Sequence, residues 1–143
     1  MSKFVWAGRG ADGRSTVLRT KTVEAAQVSP PMVAGFPLQT AMAPSDCEFL
    51  DLAAMGIECP PGTAFWGASR MVPGRVSELH WTATVDFDVV VSGTTVLVLE
   101  DGEVELGPGD CVLIDGAAHT WRAGPDGCEV MVLFVGRAVA ADD

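Results

Sequence analysis

Pro73-Gly74-Arg75-Val76-Ser77-Glu78-Leu79-His80-Trp81-Thr82-Ala83-Thr84-Val85-Asp86 is the stretch whose reading decides the fold. The chain has two histidines, His80 and His119, and the first stands here. On an extended strand, side chains alternate between faces. His80, Thr82, Thr84 and Asp86 then share one face, and Leu79, Trp81, Ala83 and Val85 share the other. A strand with an apolar side and a side of imidazole, hydroxyls and carboxylate is expected to line a polar pocket.

Outward from this stretch the chain keeps the same character. Thr63 to Val72, Val76 to Val85, Phe87 to Ser92, Thr95 to Leu99, Glu103 to Leu106, Cys111 to Ile114, His119 to Arg122 and Glu129 to Val135 read as short strands. Gly and Pro punctuate them, with a hairpin over Asp101-Gly102 and a turn at Gly107-Pro108-Gly109-Asp110. Short strands at regular spacing indicate an all-β sandwich or barrel. Upstream, Phe4 to Ala7 and Ser15 to Thr22 read as two strands around an Asp12-Gly13 turn, and Met32 to Met42 as one or two more. Ser45-Asp46-Cys47-Glu48 has the form of a capping box, which predicts one short helix from about Asp46 to Met55. Residues 1–62 are thus expected to pack on a barrel over 63–137, with a short tail at 138–143, as one domain overall. An N-terminal arm of strands suits pairing with the same arm of a second chain, so a homodimer is expected.

Composition sets the outer limits. A chain of 143 residues, 48% hydrophobic and 20% charged, has enough apolar material for one core, which argues against disorder. The formal charge of −10 argues against nucleic acid as a partner, since phosphate backbones need a basic surface. It disfavours anionic membranes as well, and no apolar run approaches a membrane span. Met1 to Arg9 lacks the apolar core of a signal peptide. Cys47, Cys59, Cys111 and Cys128 form no C-x-x-C pair and are read as reduced thiols, with Cys111 and Cys128 as small core residues. A cytoplasmic location is the expectation.

The two histidines and their surroundings resemble the cupin family. Gly74 is followed after five residues by His80-Trp81-Thr82, after three more by Asp86 and after six by Gly93. This is the spacing of the first cupin motif, with Thr82 in place of its second His and Asp86 in place of its Glu. Gly109-Asp110, Gly116 and, two residues later, His119 resemble the second motif, shortened by one residue between the glycines, without its Pro, and with Ala123 where an Asn would stand. The combination of His80-x-Thr82, Asp86-Phe87 and His119-x-Trp121 is similar to that of small single-barrel cupins. The resemblance implies a double-stranded β-helix, or jelly-roll, barrel with an N-terminal strand extension.

It also implies a chemistry. Transferred residue by residue, the family's metal ligands become His80, Asp86 and His119. Two imidazoles and one carboxylate suit Fe(II), and the same set admits Zn, Ni or Mn. Asp is one methylene shorter than Glu, about 1.5 Å from bond lengths, while metal–ligand distances tolerate only about ±0.2 Å. Either the backbone moves inward, or Asp86 serves as a general acid or base without a metal. A third reading makes His80 an interior residue whose ring is held by hydrogen bonds.

Trp66 and Trp121 are candidates for an aromatic wall, Thr82 for a substrate or water contact, and Trp6 and Trp81 for core. Asp88 shares parity with Asp86 and is a second inward carboxylate, unless a turn or bulge across 85–87 reverses it into solvent. Arg70 and Arg75 either meet a substrate carboxylate or sit on the surface. The expected function is a small-molecule enzyme of oxygenase, decarboxylase, isomerase or lyase type; the alternative is a metal-free binding or sensor module. A structural dimer without a ligand leaves the polar strand face unexplained.

Overall fold

The computed structural model describes residues 2–23 and 59–138. Among these residues seven strands form in chain order: β1 (Ser2–Arg9), β2 (Ser15–Val23), β3 (Ala64–Met71), β4 (Thr84–Leu99), β5 (Gly102–Leu106), β6 (Cys111–Asp115) and β7 (His119–Gly136). The predicted helix at Asp46 to Met55 and the strand at Met32 to Met42 lie outside the described residues.

Two long strands, β4 and β7, generate the barrel. They pair antiparallel along their whole length, Thr84↔Gly136 at one end and Leu99↔His119 at the other. Midway the register shifts twice, between Val90 and Ser92 and between Gly93 and Thr95. Bulges bend strands and strengthen their twist, so each long strand passes from one layer to the next. The first layer runs β2-β1-β6-β4-β7-β3, and β5 pairs with the far half of β4 in the second. Joining β1 to β6 is the one parallel pairing among the described residues, Phe4↔Cys111 through Ala7↔Ile114. This is a jelly-roll barrel of the cupin type, as the sequence reading expects.

Gly93 and Gly127 make the bend possible. Both have positive φ, 71° and 77°. A Cβ on Gly93 would lie 2.0 Å from the Gly127 carbonyl oxygen. No side chain fits where the two backbones cross.

The inner faces of both layers supply one core: Val5, Ala7, Val90, Leu97, Leu99, Leu106, Val112, Ile114, Val130 and Val132, with Ala117, Ala123 and Cys128. Alternation on either side of the register shifts explains the choice: Val90 faces inward between exposed Val89 and Val91, and beyond the shifts Leu97 and Leu99 face inward. Leu97 is fully buried, and Leu97→Ala is expected to cost about 2–5 kcal/mol by urea unfolding. Cys111 is half-buried rather than core, and the described cysteines 59, 111 and 128 are free thiols.

One predicted strand is corrected. Residues 76–83 do not continue into β4; they pair with β7 as the isolated bridges Val76↔Arg122 and His80↔His119. Side-chain hydroxyls take over the ladder between those points. Thr120 Oγ1 donates to the Ser77 carbonyl, and the Trp121 N–H donates to Ser77 Oγ at 3.0 Å. Local hydroxyl bonds of this kind compete with strand pairing. Without a continuous strand the expected apolar face is lost, leaving Leu79 56% and Trp81 40% exposed. Trp81, expected in the core, instead donates its indole N–H to the Gly116 carbonyl at 2.7 Å and lies beneath the Arg9 guanidinium.

Candidate functional site

A cavity of about 490 Å³ opens inside the barrel. Its floor is the inner face of the first layer. Adjacent strands place Ile114, Asp86, Phe134 and Phe65 in one row, and Val112, Asp88, Val132 and Gly67 in the next. Phe65 and Phe134 stack at 5.6 Å. Asp86 and Asp88 are therefore two carboxyls set side by side in an apolar floor, each 3% exposed. The strand is regular from Thr84 to Val90, so no bulge turns Asp88 outward. The distortion comes later, between Val90 and Ser92.

Burial governs both acids. Removal from water pushes Asp86 from 3.8 up to about 6, against smaller opposing effects from the Thr84 hydroxyl, His80 and Arg137. Asp88 is held well above the ordinary carboxyl range, first by burial and then by Asp86 beside it. Asp86 Oδ1 and Asp88 Oδ1 have no hydrogen-bond partner among the described residues. Thr82 and Thr84 share a hydroxyl hydrogen bond of 2.7 Å, which leads from the cavity to the Asp86 carboxyl.

The histidines come from the second layer. His80 and His119 exchange both backbone hydrogen bonds, each 2.9 Å, so their rings are brought together with centroids 4.4 Å apart. His80 Nδ1 lies 2.9 Å from the Glu78 carbonyl and His119 Nδ1 lies 2.8 Å from that of Ala117. A carbonyl only accepts, so each Nδ1 carries a proton, and in the neutral ring Nε2 offers a lone pair. Burial lowers His119 from 6.5 to about 4, with a further push from His80 against the Ala117 hydrogen bond. Its ring is neutral at physiological pH. The Trp121 ring meets it edge-on at 6.2 Å.

The cavity brings together His80, Thr82, Asp86, Asp88, His119 and Trp121. Trp66 is not among them. It is 75% exposed on β3, where alternation turns it to the opposite face from Phe65 and Gly67. The expectation of an aromatic wall at Trp66 is corrected accordingly. Arg70 and Arg75 both stand at the rim, and Arg70 pairs with Glu129 at 3.3 Å. Sequence reasoning did not single out Ser77, Val130, Val132 and Phe134 as lining residues. The alternate spacing of the last three along β7 carried that signal.

A metal centre asks for more than the imidazole pair. Both rings are held through Nδ1, which is the usual outer support of a metal-ligating histidine. Yet no group of three or more His, Cys, Asp or Glu side chains is assembled for a metal among the described residues. Asp86 does not complete the set. The arrangement does provide a protonatable carboxyl, a neighbouring acid and two imidazoles around one space.

Residues 68–136 match the family model described as a cupin domain. The chain is 39% identical over 72 residues to the phomopsin biosynthesis cluster protein C' of Diaporthe leptostromiformis, covering 46% of this chain and 38% of that protein. Cluster protein D of the same organism matches to the same extent. The chain therefore spans well under half the length of these curated relatives. Among solved structures, a sugar phosphate isomerase from a cupin superfamily, from Silicibacter pomeroyi, aligns with TM-score 0.46 and 26% identity over 50% of each chain. A protein of unknown function from Rhizobium leguminosarum aligns with TM-score 0.49 and 18% identity, over 65% of this chain and all of that one. No helix among the described residues is long and apolar enough to cross a membrane.

Proposed function

Because residues 68–136 make this chain a member of the cupin superfamily, we propose that its barrel is the active site of a small-molecule enzyme working by proton transfer from Asp86. One observation carries the reading: Asp86 is buried at the cavity floor with an unpartnered oxygen and a proton affinity shifted to about 6. A carboxyl poised there exists in both forms near neutral pH, as a general acid or base requires. Asp88 remains protonated beside it, because two adjacent buried carboxyls do not both ionise. The Thr82–Thr84 hydroxyl pair orients the carboxyl, and the bare Nε2 of His119 accepts from a substrate hydroxyl or a water. Isomerase, lyase and decarboxylase chemistry all turn on such transfers. The curated relatives, named for a biosynthesis cluster, are in keeping with a small organic substrate.

A second reading is favoured by the Nδ1 anchoring of both rings: a divalent cation, Fe, Zn, Ni or Mn, held by His80 and His119. One experiment separates the two. A turnover screen of small hydroxylated and carboxylated compounds is run on chelator-treated wild type and on Asp86→Asn. Under the acid–base reading the treated wild type keeps its activity, and Asp86→Asn loses about 10²–10⁴-fold. Activity that vanishes on chelation and returns with one cation would install the metal reading instead.

A further inference from the structure

Alternation gives the first layer a second apolar face, turned away from the cavity. The strand registers set Trp66, Leu133, Phe87, Leu113 and Trp6 in one row across five strands. The next row on that face holds Ala68, Met131, Val89 and Cys111. Charge is confined to the two ends of the face, where Arg70 pairs with Glu129 and Arg137 with Asp115. Trp66 stands 75% exposed between Ala64 and Ala68, whose methyl groups shelter little of its ring, and Val89 is exposed as well. Strands about 4.8 Å apart, rising about 3.4 Å per residue, make this face about 20 Å by about 20 Å, or about 400 Å² in projection. Apolar patches of that size on a protein surface mark interaction sites. A margin one residue wide brings the face to the area of about 800 Å² that each partner of a stable pair contributes.

Charge decides which partner fits. A formal charge of −10 repels an acidic protein or an anionic membrane. A basic partner finds no unengaged acid at the ends of the face, because Glu129 and Asp115 are each held by an arginine. A second copy presents the same apolar centre and the same neutral, paired margin, and a two-fold axis lets each Arg70 face the partner's Glu129. The N-terminal arm suits that role less well. Strand β1 is already paired on both sides, by β2 and β6, and β2 carries Arg19 and Lys21 with no acid, so pairing β2 with its own copy sets like charges together. We infer that the outer face of the first layer binds a second copy of this chain, with Trp66 as the anchor of an isologous dimer. Arg70 also stands at the cavity rim, so the second copy borders the mouth.

Sedimentation velocity of the full chain across a concentration series tests this. Wild type is expected to sediment with twice the 15.0 kDa mass of one chain. Trp66→Glu sets two carboxylates against each other across the two-fold axis and is expected to weaken association about thirtyfold or more. Its side chain is exposed, so the far-UV circular dichroism of the variant is expected to match wild type. Val89→Glu, on the same face two strands away, carries the test should Trp66→Glu fail to fold, and is expected to weaken association in the same direction. Arg19→Glu on β2 removes a like charge from the arm and is expected to leave association unchanged. A dimer that withstands both face substitutions would overturn the inference, and one strengthened by Arg19→Glu would place the pairing at the arm instead. A monomeric wild type would overturn it as well, leaving residues 24–58 of the same chain as the candidate occupant of the face.

Discussion

Replacing Asp86 by Asn makes the protein more stable relative to wild type at pH 8 than at pH 4, with a difference of about 2.5 kcal/mol between the two. The sign follows from where the proton sits. Below pH 3.8 the carboxyl is protonated in both folded and unfolded chains and contributes nothing. As pH rises past 3.8 the unfolded chain releases its proton while the folded chain holds it until about 6. Folding is penalised increasingly across that window and by a constant amount above it. Asn has no proton to release, so the variant escapes the penalty. Any fixed cost of burying the amide appears equally at both pH values and cancels in the comparison.

His119 acts in the opposite sense. Its folded value near 4 lies below 6.5, so acidification through that window protonates the unfolded chain first and destabilises the fold. In wild type the two residues offset each other between about pH 4 and 6. Removing Asp86 exposes the histidine, and Asp86→Asn is expected to lose stability steeply on acidification below pH 6.5, by about 3 kcal/mol in total. Asp88→Asn shares the sign of Asp86→Asn, because burial raises Asp88 as well. Urea unfolding at five pH values from 4 to 8 measures all three curves. Parallel curves for wild type and Asp86→Asn would mean that the carboxyl is not buried as described.

The second large effect lies at the bend. Gly93→Ala places a methyl 2.0 Å from the Gly127 oxygen and 2.8 Å from the Cys128 Cα, at a φ of 71°. Both contacts are to backbone, so no side chain can rotate away. Strain at positive φ alone costs about 1–2 kcal/mol; parting β4 from β7 where they cross adds to it. A loss of about 4 kcal/mol or more is expected, enough to unfold an ordinary domain. Gly13→Ala isolates the backbone contribution, since Gly13 has φ 79° with nothing within 4 Å. It is expected to cost about 1 kcal/mol. Unfolding midpoints of Gly93→Ala and Gly13→Ala that agreed would refute the crossing as a steric necessity.

These expectations draw on different layers of information. Local chemistry was legible in the chain. Asp12-Gly13 and Asp101-Gly102 mark turns because glycine accepts a φ closed to other residues, and both turns are present. Alternation grouped Asp86 with Asp88 and Val90, and Leu97 with Leu99, and each group is buried together; the register shifts between the groups were not legible. The spacing from Gly74 to Gly93 placed His80, Thr82 and Asp86 in one frame, and all three line one cavity. Such features depend on a residue and its near neighbours, so a linear reading reaches them.

Other features exist only once distant segments meet. Nothing local reveals that Ser77 and Thr120 exchange hydrogen bonds, yet those bonds turn a predicted strand into an irregular crossing and leave Trp81 at the surface. Trp66 has the alternation of a strand, but which face of β3 meets the cavity is decided by its pairing with β7. The meeting of His80 with His119, 39 positions apart in number, depends on a bridge between elements. Asp88 shows the division most clearly. The sequence by itself set its parity with Asp86, through the two-residue period of an extended chain. Only the tertiary structure decided that both acids are enclosed by Val112, Val132, Ile114 and Phe134, and it is that enclosure by apolar neighbours, withdrawing water from the charge, that turns two ordinary carboxyls into a proton-holding pair.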